Sequence, residues 1–281
     1  MARSGFLKSP LKFFRLEIKF STANQQNLEV IVRLFVCVNQ VPDTETKVKI
    51  GQDGKSIDRS EINLVLNPYD EFAVEAALQI KDKTPSEVTY VSVGGDTNKE
   101  VIRKALAMGG DKGLLVKTEN AGDSYSVASS IAAALKDSGA DMIFFGKQSI
   151  DYDDAAVGTM VAEMLGLPSA SVVVKLEINE GEKRVVCERE IEGGKETVEL
   201  TMPCVITAQK GLNEPRYPAL RGIMAAKTKP IQEVTAAPIN PVTEVVEMKK
   251  PAAKQPGKIV GTDKTAVSEL VRLLHEEAKV I

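Results

Sequence analysis

The segment GKQSIDYDDAAVGT, Gly146 to Thr159, gathers the groups that handle an anion and a sugar. Lys147, Gln148, Ser149 and Ile150 follow the leading glycine. Asp151, Asp153 and Asp154 then flank Tyr152, and Ala155, Ala156, Val157, Gly158 and Thr159 open a helical pattern. An apolar run, Asp141 to Phe145, precedes the glycine. A glycine-led loop between a strand and a helix presents free backbone N–H groups and the positive end of a dipole, which favour a phosphate. Ala155, Ala156 and Gly158 are small enough for a ligand to approach the backbone closely. A free carboxylate would repel that phosphate, so Asp153 or Asp154 reads as the helix cap. Another acid then accepts ribose hydroxyls, and the phosphate rests on amides and on the Thr159 hydroxyl. The same pattern equally accommodates a capped helix that binds nothing. Neither GxxxxGK[ST] nor GxGxxG occurs, so the loop is no ordinary P-loop or dinucleotide fingerprint.

The rest of the chain has little equipment for acid–base or metal chemistry. Its one histidine, His275, lies in the charged helical tail AVSELVRLLHEEAKVI and reads as solvent-facing. Two-histidine metal sites are excluded, and a histidine triad would have to rest on this residue. Cys37, Cys187 and Cys204 form no CxxC pair, which argues against zinc and for a reduced cytoplasmic or matrix compartment. No metal and no catalytic residue is expected. A net charge of -3 gives no electrostatic case for nucleic acid. No apolar run reaches the ~18 residues of a membrane span.

The elements that must position the loop alternate. Strands are expected at RLFVCVNQ, EVTYVSVGG, GLLVKT and DMIFFG. Helices are expected after Asn67-Pro68, where asparagine caps and proline suits the first turn, and across DTNKEVIRKALAMGG, SYSVASSIAAALKDSG and AAVGTMVAEMLGLP. In the last, Val157, Met160, Val161, Met164 and Leu165 form a helical stripe for packing on a sheet. Asp53-Gly54 suggests a polar hairpin. After Pro168 come the strands SASVVVKLEI, KRVVCEREI, ETVELTM and CVITA, with a turn at Gly193-Gly194. This implies an α/β fold: a Rossmann-like, doubly wound, mainly parallel sheet with flavodoxin-like layering, right-handed crossovers, a β-hairpin region and an extended C-terminal arm. Three strand ends offer ligand contacts: Cys37 to Gln40, Val93 to Asp96, and Gly146 to Thr159. Residues 1–32, basic and aromatic, read as a non-core extension, 33–226 as the α/β domain, and the proline-rich 227–281 as an arm lying on a partner and ending in a helix.

Several stretches together resemble the small (beta) subunit of electron transfer flavoprotein: VCVNQVPDTETKVKI, LNPYDEFAVEAAL, KALAMGGDKG, GKQSIDYDDAAVGTMVAEMLGLP, CEREIEGGKETVELTMPCVIT and LNEPRYPALRGIMAAKTKP. They stand in family order from about Arg33 to the C-terminus. The resemblance implies a heterodimer whose large (alpha) subunit carries FAD. The small subunit is a non-catalytic scaffold that binds AMP or, in the electron-bifurcating branch, a second FAD that takes electrons from NADH. It implies electrons arriving from acyl-CoA dehydrogenases and related flavin dehydrogenases and leaving to a quinone oxidoreductase at the membrane, in the cytoplasm or the mitochondrial matrix. The nucleotide site would use Cys37, Asn67, Pro68, Tyr69, Asp70, Val93 and Gly146 to Thr159. Residues 211–226 would be the partner-recognition loop, with Leu220 as apolar anchor beside Arg221, Gly222, Ile223 and Met224. Glu190 matches a carboxylate that pairs with an arginine of the large subunit. Ordinary packing for Leu220 and a solvated strand charge for Glu190 remain open. Asn39, Thr44, Tyr152 and Ala156 depart from the family pattern, and Ala156 leaves one polar nucleotide contact in doubt. The bulk of Tyr152 favours the smaller ligand, AMP.

Overall fold

The computed structural model describes residues 31–179, 181–254 and 256–281. All but the last two residues of the expected extension lie outside them. The first strand, β1 (Val32–Cys37), takes in Val32, one residue before the expected boundary, because its side chain is buried in the core. The chain divides into two units, residues 31–41 with 66–240 and residues 42–65 with 241–281.

The first unit holds β1, α1 (Pro68–Lys81), β4 (Ser86–Gly94), α2 (Asn98–Met108), β5 (Lys112–Lys117), α3 (Ser124–Leu135), β6 (Met142–Gly146), α4 (Val157–Leu165), β7 (Ser169–Asn179), β8 (Arg184–Ile191), β9 (Gly194–Thr201), β10 (Cys204–Ala208), α5 (Leu220–Ala226) and β11 (Ile231–Thr235). Short strands β2 (Gln40–Pro42) and β3 (Leu64–Leu66) mark where the chain leaves this unit and returns. The sheet order is β11-β5-β4-β1-β6-β10-β7-β8-β9. It is parallel from β11 to β7 and antiparallel in the β7–β8–β9 meander.

The central strands read as unbroken apolar runs because both faces are covered. Leu34 and Val36 of β1, with Met142 and Phe144 of β6, join the core under α1 and α2. Phe35 and Cys37, with Ile143 and Phe145, join the core under α3 and α4. Val101, Ile102, Ala105 and Leu106 of α2 are buried as their spacing predicts. In the α4 stripe Val161 is buried and Val157, Met160 and Leu165 pack partly, but Met164 lies exposed at the rim.

Two boundaries differ from the sequence reading. Residues 227–240 are no arm: Ile231–Thr235 pair parallel with β5. Pro230 and Pro238 bracket this edge strand, where missing N–H groups cost no ladder bond. Residues 42–65 do not belong with the domain around them but group with 241–281. In that second unit the turn at Asp53-Gly54 forms under an Ile50–Ile57 bridge, Met248 donates its N–H to the Gly54 carbonyl, and α6 (Ala266–Arg272) lies near the end. No helix among the described residues is long and apolar enough to cross a membrane.

Candidate functional site

From β1 the chain winds outward through β4 and β5, then returns to lay β6 on the other side of β1. Helices diverge at such a reversal and leave a crevice beyond the strand ends. Cys37 closes β1 there. It is buried, and burial, with the neighbouring Asp70 charge, pushes its thiol well above the ordinary range. It is therefore an inert apolar wall. Val93, near the end of β4, packs partly on the same core.

The N-terminus of α1 joins the two strand exits. Pro68 occupies its first turn. Asn67 stands at the cap position without making a side-chain cap bond. Its amide instead donates to Asp70 Oδ1 at 2.9 Å and to the Gln148 carbonyl at 2.9 Å, while its Oδ1 accepts from Ile150 N at 3.3 Å. Asp70 also accepts from Asn39 N at 2.8 Å and Gly146 N at 3.1 Å. Burial pushes the Asp70 carboxyl up to about 7, against the pull of these hydrogen bonds. A Cβ on Gly146 would meet Asp70 Oδ1 at 2.4 Å and Tyr69 C at 2.6 Å, so only glycine fits. Lys147 Nζ lies 5.2 Å from the Tyr69 ring centroid, within cation–π reach.

Beyond Gly146 the carboxylates are engaged within the protein. Ser149 Oγ donates to Asp151, Gln148 Nε2 to Asp153 and Ser124 Oγ to Asp154. Neither Asp153 nor Asp154 caps α4. The cap position is Ala156, with no side-chain bond, because Asp154 is drawn to α3 and Asp153 back to Gln148. Thr159 Oγ1 donates to the Ala156 carbonyl at 2.9 Å, so its proton is committed and does not await a phosphate. Gly158 is not a gap for ligand: a Cβ there would meet Thr207 Cγ2 at 2.8 Å and Phe145 Cγ at 3.2 Å. Its close approach is to the sheet. What remains for an anion is the backbone, since first-turn N–H groups have no intrahelical acceptor. Asp153 and Ala155 adopt left-handed backbone, φ 58° and 49°, a conformation that in turns helps successive amides converge. The uncapped first turn, with small residues before it, fits an adenylate phosphate held by amides alone. Tyr152 is 66% exposed, so most of its ring is in solvent.

A second cluster lies on the outer face of α1 and α2. Tyr217 is 95% and Leu220 77% exposed, with Ile223 and Met224 also exposed. Arg216, next to Tyr217 in the chain, donates to buried Glu75 from N, Nε and Nη2 at 3.1, 2.7 and 3.0 Å, and to Asp82 at 2.8 Å. Gly222 lets α5 lie on α2: a Cβ would meet the Ala107 carbonyl oxygen at 2.3 Å. Arg103 donates to the Ala226 and Lys229 carbonyls. Glu190, exposed near the end of β8, accepts from Gln209 Nε2 at 3.1 Å.

The electron transfer flavoprotein domain profile matches residues 55–239. The beta subunit of electron transfer flavoprotein from Syntrophomonas wolfei is 40% identical over 251 residues, covering 89% of this chain and 98% of that one. The beta subunit from Bacillus subtilis is 38% identical over 261 residues, covering 89% and 100%. The chain belongs to the electron transfer flavoprotein beta-subunit family. Subunit CarD of the caffeyl-CoA reductase-Etf complex of Acetobacterium woodii is 37% identical over 204 residues, covering 71% of this chain and 77% of that one.

Within this electron transfer flavoprotein subunit the structure brings together Cys37, Asn67 to Asp70 and Gly146 to Thr159 at the β1–β6 crevice, with Val93 at the neighbouring strand end. Leu220 to Met224 form a separate exposed face, and Glu190 lies apart on the meander. Sequence reading missed Glu75 and Arg216. The signal was a lone acid amid the apolar run AVEAAL, which needs a buried cation.

Proposed function

We propose that this subunit is the non-catalytic scaffold of a heterodimeric electron carrier and that its crevice holds AMP. The uncapped first turn of α4 carries this reading: it offers backbone N–H groups to a phosphate where no side chain competes. AMP supplies no redox chemistry there; it stabilises the fold that binds it by mass action. Asp151 or Asp153 would accept a ribose hydroxyl. The large subunit would hold FAD, and the arm 241–281, with exposed Val242, Val246 and Ile259, would lie on that subunit. Leu220, with Arg221, Gly222, Ile223 and Met224, would dock acyl-CoA dehydrogenases or related flavin dehydrogenases, and a quinone oxidoreductase at the membrane would receive the electrons in the cytoplasm. Glu190 would meet a cation of the large subunit.

A second reading has its own support. The similarity to the CarD subunit of a reductase-Etf complex and to the acryloyl-CoA reductase electron transfer subunit gamma of Anaerotignum propionicum favours a second FAD in this subunit and an NADH-oxidising role. Denaturing the purified heterodimer and counting what is released decides between them. One FAD and one AMP per heterodimer is expected; two FAD supports the second reading, and one FAD with neither AMP nor a second FAD refutes both.

A further inference from the structure

We propose that Arg103 and Lys229 are positioning residues for partner docking. Arg103, from α2, ties down the end of α5, and Lys229, just beyond α5, ties down the end of α2. The inference rests on the reading of Leu220 to Met224 as a docking face for its consequence, though not for its geometry.

The sequence of α5 creates the need for such a clasp. Its seven residues are too few to hold a helix unaided, since isolated helices are marginal below ~12–15 residues. Packing adds little, because Ala226 is its one buried residue. Leu220, Ile223 and Met224, the side chains that burial would ordinarily use, are exposed. Hydrogen bonds close the end of the helix instead. Lys227 N donates to the Met224 carbonyl and Thr228 N to the Ala225 carbonyl. The Ala226 carbonyl takes Arg103 Nη1, which also donates to the Lys229 carbonyl. Lys229 Nζ returns to α2 and donates to the carbonyls of Leu106 at 3.1 Å and Gly109 at 3.4 Å.

Neither helix carries a basic residue in its own last turn. The unpaired carbonyls there favour a cation, and each segment supplies the other's. Both cations are half-buried. Gly222 lets the α5 backbone come against the Ala107 carbonyl at the same end of α2. Beyond Lys229 the chain enters β11, whose pairing with β5 fixes where it leaves. The clasp would therefore act on docking through α5, by keeping its outward apolar side chains in one arrangement.

Two measurements on the purified heterodimer test this. One is amide hydrogen exchange by mass spectrometry across Leu220 to Lys227. The other is the electron-transfer rate against the concentration of an acyl-CoA dehydrogenase reduced by its acyl-CoA. The variants are Arg103→Ala, Lys229→Ala and the conservative Arg103→Lys. Leu220→Ala reports docking itself, and Ile131→Val, in the core under α3 and α4, is a control destabilised elsewhere. Arg103→Ala and Lys229→Ala should speed exchange across α5 about tenfold. They should raise KM about threefold with kcat held, as the docking-competent arrangement becomes less populated. Arg103→Lys should recover part of both, and Ile131→Val should move neither. If Arg103→Ala does not assemble, Lys229→Ala carries the test. Wild-type exchange across α5 would overturn the proposal, as would a wild-type KM in Arg103→Ala and Lys229→Ala where Leu220→Ala raises it. Faster exchange with KM unmoved in all three alanine variants would uphold the clasp and remove the docking reading instead.

Discussion

At the β1–β6 crevice the polar side chains turn inward; at α5 the apolar side chains turn outward. Asn67 and Asp70 satisfy each other and the backbone, so a ligand there meets N–H groups. Tyr217, Leu220, Ile223 and Met224 stand in solvent, and Arg216 at the start of this segment mounts it on the buried Glu75 carboxylate. A pocket formed by backbone tolerates surface substitution but not a misplaced Cβ. A docking face formed by side chains tolerates changes that leave its mount intact and fails at its anchor. On the proposed function, stability and recognition rest on different residues, and substitutions can break either alone.

The largest effect is expected at the mount. Arg216→Ala leaves Glu75 buried without its cation, and because Arg216 is about one-third exposed the loss should fall near the low end for broken buried pairs, about 2–3 kcal/mol. Chemical denaturation of the heterodimer measures it; Arg216→Lys should recover part of the loss.

Gly158→Val comes next. Its Cβ would press on Thr207 and Phe145, and overpacking of this kind costs about 1–3 kcal/mol. The loss should be equal with and without AMP. Melting both proteins in both conditions checks this, and a loss confined to the AMP-bound protein would return Gly158 to the ligand.

Asp70 gives a pH signature. Its folded carboxyl is raised to about 7, above an unfolded value of about 4. The folded state therefore holds the proton more tightly, so the stabilisation is complete below about pH 4 and is lost as pH rises towards 7. The difference in unfolding free energy between wild type and Asp70→Asn should fall across that window and level off above it; a flat difference from pH 5 to 8 would refute the assignment.

The smallest effect on stability is expected at Leu220→Ala, within about 0.5 kcal/mol as for other surface changes. Loss of an exposed anchor should nonetheless weaken dehydrogenase docking by at least ~1 kcal/mol. Electron-transfer rates against dehydrogenase concentration would show a raised KM with kcat held.

How much was legible beforehand follows the same contrast. The central strands and α1 to α4 were legible because their apolar periodicity is local. The crevice loop was legible because strand, glycine and helix are contiguous. The duties of its acids were not, since the partner of Asp154 is Ser124, thirty residues away, and Gly158 is constrained by Thr207 on β10. α5 was read as loop because it is seven residues long and only Ala226 is buried. β11 was hidden by its flanking prolines, which forbid a central strand but not an edge.

The most direct test of the account is amide hydrogen exchange on the nucleotide-stripped heterodimer with and without AMP. Protection should concentrate at Ala156 to Thr159, the first turn of α4, and leave Tyr217 to Ala226 unchanged. Protection absent from that turn, or appearing at α5 instead, would contradict it.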